Sequence, residues 1–449
     1  MSIKKLLLLF TSMLLFVGCD DDDDSFALIP PTPKTTIQVV HASQDSPLVN
    51  VQVNASTAIS ELDFAKASER IELDAATYSI QVDGLTPSGP VAVIGPVDLD
   101  LAANQLYTVV ALDETANIEP IILTQSEAAP AAGQFTLQVL HAASNAPTVD
   151  IYLTAPGEDI SSLVPTVTLA FKDSLSPTDI AAGDYQIRIT ATGAKDVVYD
   201  SGALTLTEGA LLNLVAVTNT GPGTSPVNLL ALSADGAATL YDAAKATDLR
   251  VFHLSPDAPA VDVVANDDFA NPLLTNVAFP EFSDYLTLAA DDYNVKVVPT
   301  GASTPAVIDA DVSLTTGISY SVLAVNTLAN IEPLILEDNR RSISTESQLR
   351  IIHGSPSAGL VDLYLVPPAT DISMVDPNFS GVDFKQDTGY LSLAAGDYDV
   401  IVTAQGSKTP AIGPAAITLE NNNIYTVIAR DNVGGGVPLG VVLADDFAN

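Results

Sequence analysis

The stretch LRVFHLSPDAPAVDVV, Leu249 to Val264, occurs four times in this chain. Related copies run from Ile37 (IQVVHASQDSPLVNVQV), Leu137 (LQVLHAASNAPTVDIYL) and Leu349 (LRIIHGSPSAGLVDLYL). The chain has four histidines, His41, His141, His253 and His353, and each holds the same place in its copy. Within the stretch, Leu249, Val251 and His253 alternate with Arg250 and Phe252, and Val261 and Val263 alternate with Asp262 and Val264. Alternation with period two, broken by Ser-Pro-Asp, predicts two strands joined by a turn. Downstream, Tyr293, Val295 and Val297 alternate again, and Ser319–Val325 and Pro333–Leu336 are short apolar runs of buried-strand length.

The histidine spacings are 100, 112 and 100 residues, and alternate histidines are both 212 apart (253 − 41 and 353 − 141). Odd and even copies share private features. Ala116-Asn-Ile-Glu-Pro120 recurs at Ala329–Pro333, and Tyr152-Leu-Thr-Ala-Pro156 recurs as Tyr364-Leu-Val-Pro-Pro368. A two-repeat unit duplicated in tandem accounts for this pattern. Each copy has the size and strand content of a β-sandwich. The fold expected is therefore all-β: four tandem immunoglobulin-like or transthyretin-like sandwiches at 35–125, 134–233, 247–338 and 347–446, each with its own core. Small polar links separate them.

The chain opens differently. Lys4 and Lys5 precede the apolar run Leu6–Val17, which ends in Gly18-Cys19. This is the layout of a secretory signal over 1–18, and the run is too short to span a bilayer. The Gly-Cys ending resembles the lipobox of bacterial lipoproteins, with Phe16 where leucine is usual. The resemblance implies that Cys19, the only cysteine, is lipidated and becomes the first mature residue. Five aspartates, Asp20–Asp24, and a Pro-rich approach follow, and a disordered tether is expected over 19–34. The address is thus the envelope of a Gram-negative bacterium, with the membrane as partner through Cys19. The outer membrane or cell surface is favoured. The Asp run also resembles an inner-membrane retention signal, which would leave the chain facing the periplasm.

Composition narrows function mainly by exclusion. With 17 basic against 55 acidic residues the net charge is −38, which disfavours nucleic acid and anionic lipid surfaces. Tryptophan is absent, which disfavours a sugar-stacking platform. No cofactor signature is present, and one histidine per copy with no cysteine falls short of a zinc ligand set. The Asp pairs at Asp267, Asp291 and Asp445 lack calcium-loop spacing.

The motif histidines are expected to tie down the following turn as structural residues. A Ser255/His253/Asp262 group offers a hydrolase reading. Ala143 replaces the serine in the second copy and Asn50 the aspartate in the first. No catalytic residue is therefore assigned. Tyr78, Tyr185, Tyr293 and Tyr398 follow tight turns and are expected to act as tyrosine corners. The even copies carry longer loops, Thr154–Pro165 and Val366–Ser380, the expected place for any binding surface.

The run His-x-Ser-Pro-Asp-Ala-Pro-Ala-Val-Asp-Val at His253–Val263, with a downstream Leu-x-Ala-Gly-x-Tyr, resembles the domain of unknown function 4397 family. The resemblance implies secreted or lipid-anchored bacterial modules, often in tandem, and brings no activity. The expected function is a non-enzymatic binding, adhesion or structural module, with an envelope protein or polysaccharide as partner. An envelope hydrolase and a calcium-stiffened acidic spacer are the alternatives.

Overall fold

A computed structural model describes residues 32–447, with side chains through 444. The signal, Cys19 and the Asp20–Asp24 run lie outside the described residues. Strands dominate, and the only helical elements among the described residues are three short 3-10 turns. None of the described helices is long and apolar enough to cross a membrane.

Eight sheets form four sandwiches with one plan. In the first, strand Lys34–His41 pairs in parallel with Gln105–Leu112, which pairs antiparallel with Glu119–Ser126. Ile71–Asp74 and Lys66–Ala67 close its other side. The facing sheet runs Ser56–Leu62, Val49–Val53, Thr77–Thr86, Gly89–Asp100, all antiparallel. The parallel ladder places each motif histidine opposite an alanine: Ala111, Ala216, Ala324 and Ala429. Ile37, Val39, Val49, Val51, Val82 and Val109 fill the first core, and equivalent side chains fill the others.

The sequence predicts beads with separate cores; each repeat has one, and the structure adds a second core shared between neighbours. The motif strands are buried on both faces. Val40, Ala42, Val110 and Leu112 of the first repeat pack against Leu140, Ala142, Val215 and Val217 of the second. Phe252, Leu254, Leu323 and Val325 of the third likewise meet Ile352, Ile428 and Val442 of the fourth. The repeats are therefore joined back to back in two pairs. Apolar area on the second face is removed from water at roughly 25 cal/mol per Å2, and that gain couples the members of a pair. The link after Ser233 is also not plain coil: Gly236–Leu240 adds a fifth strand to its sheet. From this link Ser233 O accepts from Gln38 Nε2 at 2.8 Å, and Ala234 O accepts from the Arg70 N–H at 2.8 Å.

The two pairs differ in their buried polar groups. In the second, Asp338 lies between two arginines, bonded by Arg350 Nη2 at 2.6 Å and approached by Arg250 Nε at 3.5 Å. All three side chains are at most 3% exposed. Tyr285 Oη and Ser321 Oγ also donate to Asp338, at 2.5 and 2.6 Å. In the first pair glutamines occupy all three places. Gln38 and Gln138 stand 212 residues before Arg250 and Arg350, and Gln125 matches Asp338 in the shared Ala-Asn-Ile-Glu-Pro strand. All three glutamines are buried.

Candidate functional site

The motif histidine closes its turn with both ring nitrogens. His41 Nε2 donates to Pro47 O at 3.0 Å while Nδ1 accepts from the Ser43 N–H at 3.3 Å. The same two bonds recur at His141 (Pro147 O 3.1 Å, Ala143 N 3.4 Å), His253 (Pro259 O 2.9 Å, Ser255 N 3.4 Å) and His353 (Gly359 O 2.8 Å, Ser355 N 3.3 Å). A carbonyl only accepts and an amide only donates, so each ring is the neutral Nε2–H tautomer. Both nitrogens are occupied and neither faces a reactant. A phenylalanine packs edge-on to each ring: Phe64, Phe171, Phe279 and Phe384, with centroids 6.2–6.3 Å away.

Burial pushes the His41 imidazole down to about 4, the largest cause being loss of water around the charged form. His141 and His253 shift the same way for the same reason. The folded pKa lies below the unfolded one, so the unfolded chain binds more protons between the two. The contribution of neutral His41 is present in full above about pH 6.5 and falls away toward pH 4. At 1.36 kcal/mol per unit this amounts to roughly 3 kcal/mol from His41 alone. Native-state hydrogen exchange in the first repeat should therefore report steep loss of stability from pH 6.5 to 4.5. His41→Gln should flatten that slope. An unchanged slope would mean that other groups drive it.

The Ser-His-Asp group is not assembled. Ser255 Oγ is buried and makes no hydrogen bond to His253. Asp262 accepts from the N–H groups of Asn276 at 2.8 Å and Gly301 at 2.9 Å. The Gly301 amide above all holds its carboxyl below the ordinary range. Asp150 serves its own repeat in the same way, bonded by Thr168 Oγ1 and the Gly193 N–H. This aspartate is a clamp between neighbouring strands. In repeats four and one the corresponding serines turn away from the ring, Ser355 Oγ to Asp431 and Ser43 Oγ to Ser46. The tyrosines bond four residues upstream: Tyr78 to Asp74 O at 3.1 Å, Tyr185 to Ala181 O at 2.7 Å, Tyr293 to Ala289 O at 2.9 Å and Tyr398 to Ala394 O at 3.0 Å. No group of three or more His, Cys, Asp or Glu side chains is set to hold a metal among the described residues.

The long even-repeat loops are pinned from below. Lys195 Nζ donates to Tyr152 Oη at 2.8 Å and to Leu163 O at 2.5 Å, and lies 4.5 Å from the Tyr152 ring centroid. Lys408 does the same to Tyr364 Oη and Val375 O. The loop tips expose Val164 and Met374, at 85% and 93%. Sequence reading found these loops but not their lysines, which recur at a 213-residue offset.

A wider opening lies elsewhere. A polar cleft of about 800 Å3 forms where the Gln44-Asp45 turn, the Thr218–Gly221 loop, the 340–344 link and Asn421-Asn422 converge. Three of its four ionisable groups, Arg340, Arg341 and Asp45 but not Glu114, are engaged by neighbours. Arg340 pairs with Asp248, Arg341 with Asp63, and Asp45 accepts from the N–H and hydroxyl of Thr115. This cleft is built for polar contacts and contains no free acid–base pair.

Fold and motif together define a class: tandem β-sandwich modules organised around a structural His–Phe turn. The chain belongs to the domain of unknown function family DUF4397, which matches at residues 35–152, 247–364 and 366–449. No curated protein matches it significantly. Among solved structures it is similar to the Bacillus anthracis TIE protein, at 10% identity over 88% of this chain and 68% of that one, TM-score 0.16. It is also similar to a Streptococcal ancillary pilin (12% identity, 64% and 96% covered, TM-score 0.14). The pilus adhesin SpaC from Lactobacillus rhamnosus GG is a further likeness (14% identity, 70% and 42% covered, TM-score 0.13). At identities and TM-scores this low the likenesses carry no functional argument.

Proposed function

We propose that this chain is a non-enzymatic binding or structural module of the bacterial cell envelope, held to the membrane through a lipidated Cys19. The observation that carries the non-enzymatic part is the fourfold motif itself. Every histidine spends both ring nitrogens on its own turn, and every recurring Asp and Tyr is spent on neighbouring backbone. A general base needs a free nitrogen within reach of a proton, and these rings offer none. The envelope part is supported by the signal-like start, the lone cysteine and the acidic tether. A body of paired sandwiches at the end of such a tether suits presentation of a surface to an envelope protein or a polysaccharide.

Protease shaving of intact cells, with a periplasmic protein as control, tests the location. Cleavage with the control intact is the expected result and places the body outside the cell. Protection until the outer membrane is opened would place it facing the periplasm, with the Asp run as a retention signal. Recovery of the chain in the soluble fraction, with Cys19 unmodified by mass spectrometry, would sink the anchored reading.

A further inference from the structure

Every motif phenylalanine carries a cation, and the source of that cation depends on the parity of the repeat. In even repeats the next residue supplies it: Lys172 Nζ lies 5.0 Å from the Phe171 centroid, and Lys385 Nζ 5.8 Å from that of Phe384. In odd repeats Ala65 and Pro280 hold that place and carry no charge. There an arginine from far along the chain takes the seat. The Arg341 guanidinium lies 5.6 Å over Phe64, and that of Arg430 lies 5.4 Å over Phe279.

The motif turn completes both seats. Arg341 Nη1 donates to Ser46 O at 2.7 Å and Gln44 O at 3.4 Å, and Nη2 donates to Asp63. Three residues on, Ser344 donates its N–H and its hydroxyl to Asp45 O, at 2.8 and 3.1 Å. In the third repeat the Gly434 N–H, four residues after Arg430, donates to Pro256 O at 2.7 Å. Pro256 is the turn position equivalent to Gln44. Two unrelated segments, one an interrepeat link and one a hairpin loop, thus meet the same surface with adjacent turn carbonyls as acceptors, Asp45 O in the first repeat and Pro256 O in the third; Arg341 also bonds the turn, whereas Arg430 Nη1 donates to Asp431 O. Each lays an arginine on the motif ring and gives a backbone N–H to the turn three or four residues later. A planar guanidinium suits this seat because it stacks on a ring and donates in several directions at once.

We propose that the odd-repeat His–Phe turn is a receptor for an extended peptide segment carrying arginine, and that the chain fills two such receptors with its own segments. At the first repeat the filling segment is 341–344, which fastens the second pair to the first. Even repeats are closed to such partners by their own lysine. This proposal does not depend on where in the cell the chain resides.

Arg341→Ala in the full chain vacates the first receptor. The probe is the blocked hexapeptide of residues 339–344, NRRSIS, observed by saturation-transfer NMR. A tethered segment acts at millimolar effective concentration, so the parent chain should exclude the probe while the variant binds it about tenfold more tightly. Changing the second arginine of the peptide to lysine, or adding Asp63→Asn, should abolish the gain. Equal signals from parent and variant, or a signal indifferent to that arginine, would overturn the proposal. A second variant needs no vacancy. Ala65→Lys gives the first repeat the lysine of its even partners, at a backbone position that is left-handed in all three (φ 57°, 76° and 73°). It should evict Arg341 and raise hydrogen exchange at the Ser344 amide about tenfold. An unchanged Ser344 amide would count equally against the receptor.

Discussion

Asp338→Asn is expected to lower the stability of the second pair by about 3–5 kcal/mol, because it removes the carboxylate that two buried guanidinium groups share. Arg250, Asp338 and Arg350 lie at the junction of the third and fourth repeats, where water does not reach them. Taking the charges out of water costs several kcal/mol each, and the shared carboxylate offsets that cost. The amide of asparagine keeps the shape and removes the offset. Native-state hydrogen exchange should show the loss at the amides of Phe252, Leu323, Ile352 and Ile428, with Val40 and Val110 of the first pair unchanged. A loss under about 1 kcal/mol, or one shared equally by both pairs, would show that the triad is not what balances this junction.

The first pair suggests the companion experiment. Gln38, Gln125 and Gln138 stand where the second pair has its triad. Replacing Arg250, Asp338 and Arg350 together by glutamine should return stability to within about 1–2 kcal/mol of the parent, since neutral amides carry no desolvated charge. The charged triad then reads as a device of pairing specificity. An unpaired arginine facing the glutamines of the other pair would be penalised, which would favour pairing of the third repeat with the fourth.

Phe252→Ala is the second large effect, at about 3–5 kcal/mol. The ring is fully buried in the shared core of the second pair, stacks on Phe282 at 4.8 Å and lies 4.9 Å from the Arg250 guanidinium. Leu249, three residues earlier, faces the private core of its own repeat. Phe252→Ala should therefore loosen the third and fourth repeats together, while Leu249→Ala should loosen the third first. The contrast is read from regional exchange protection in the two variants. Identical patterns would mean that the two repeats unfold as one unit whatever core is damaged.

The motif chemistry was largely legible in the chain. Parity put His253 on the same face as Leu249 and Val251, and a histidine at a strand end before Ser-Pro-Asp had an evident local task. The tyrosines sit four residues after the carbonyls they bond, so that contact needed only the turn. The long even-repeat loops were visible as extra length. What pins them was not, because Lys195 and Lys408 reach back from a different hairpin to Tyr152 and Tyr364.

The sequence by itself determined the repeat, its β character, the strand parity and the two-by-two pattern of shared motifs, because these follow from residue spacing and alternation within one strand or turn. Only the tertiary structure decided that Arg250 and Phe252 are buried as deeply as Leu249 and Val251. Alternation assigns residues to two faces but does not say what covers each. A second buried face on the motif strands is supplied by a neighbouring repeat about 100 residues away. Arg341 shows the same limit over a longer span. It meets Ser46 and Asp63 from nearly 300 residues along the chain, a contact that closes only once both pairs are folded.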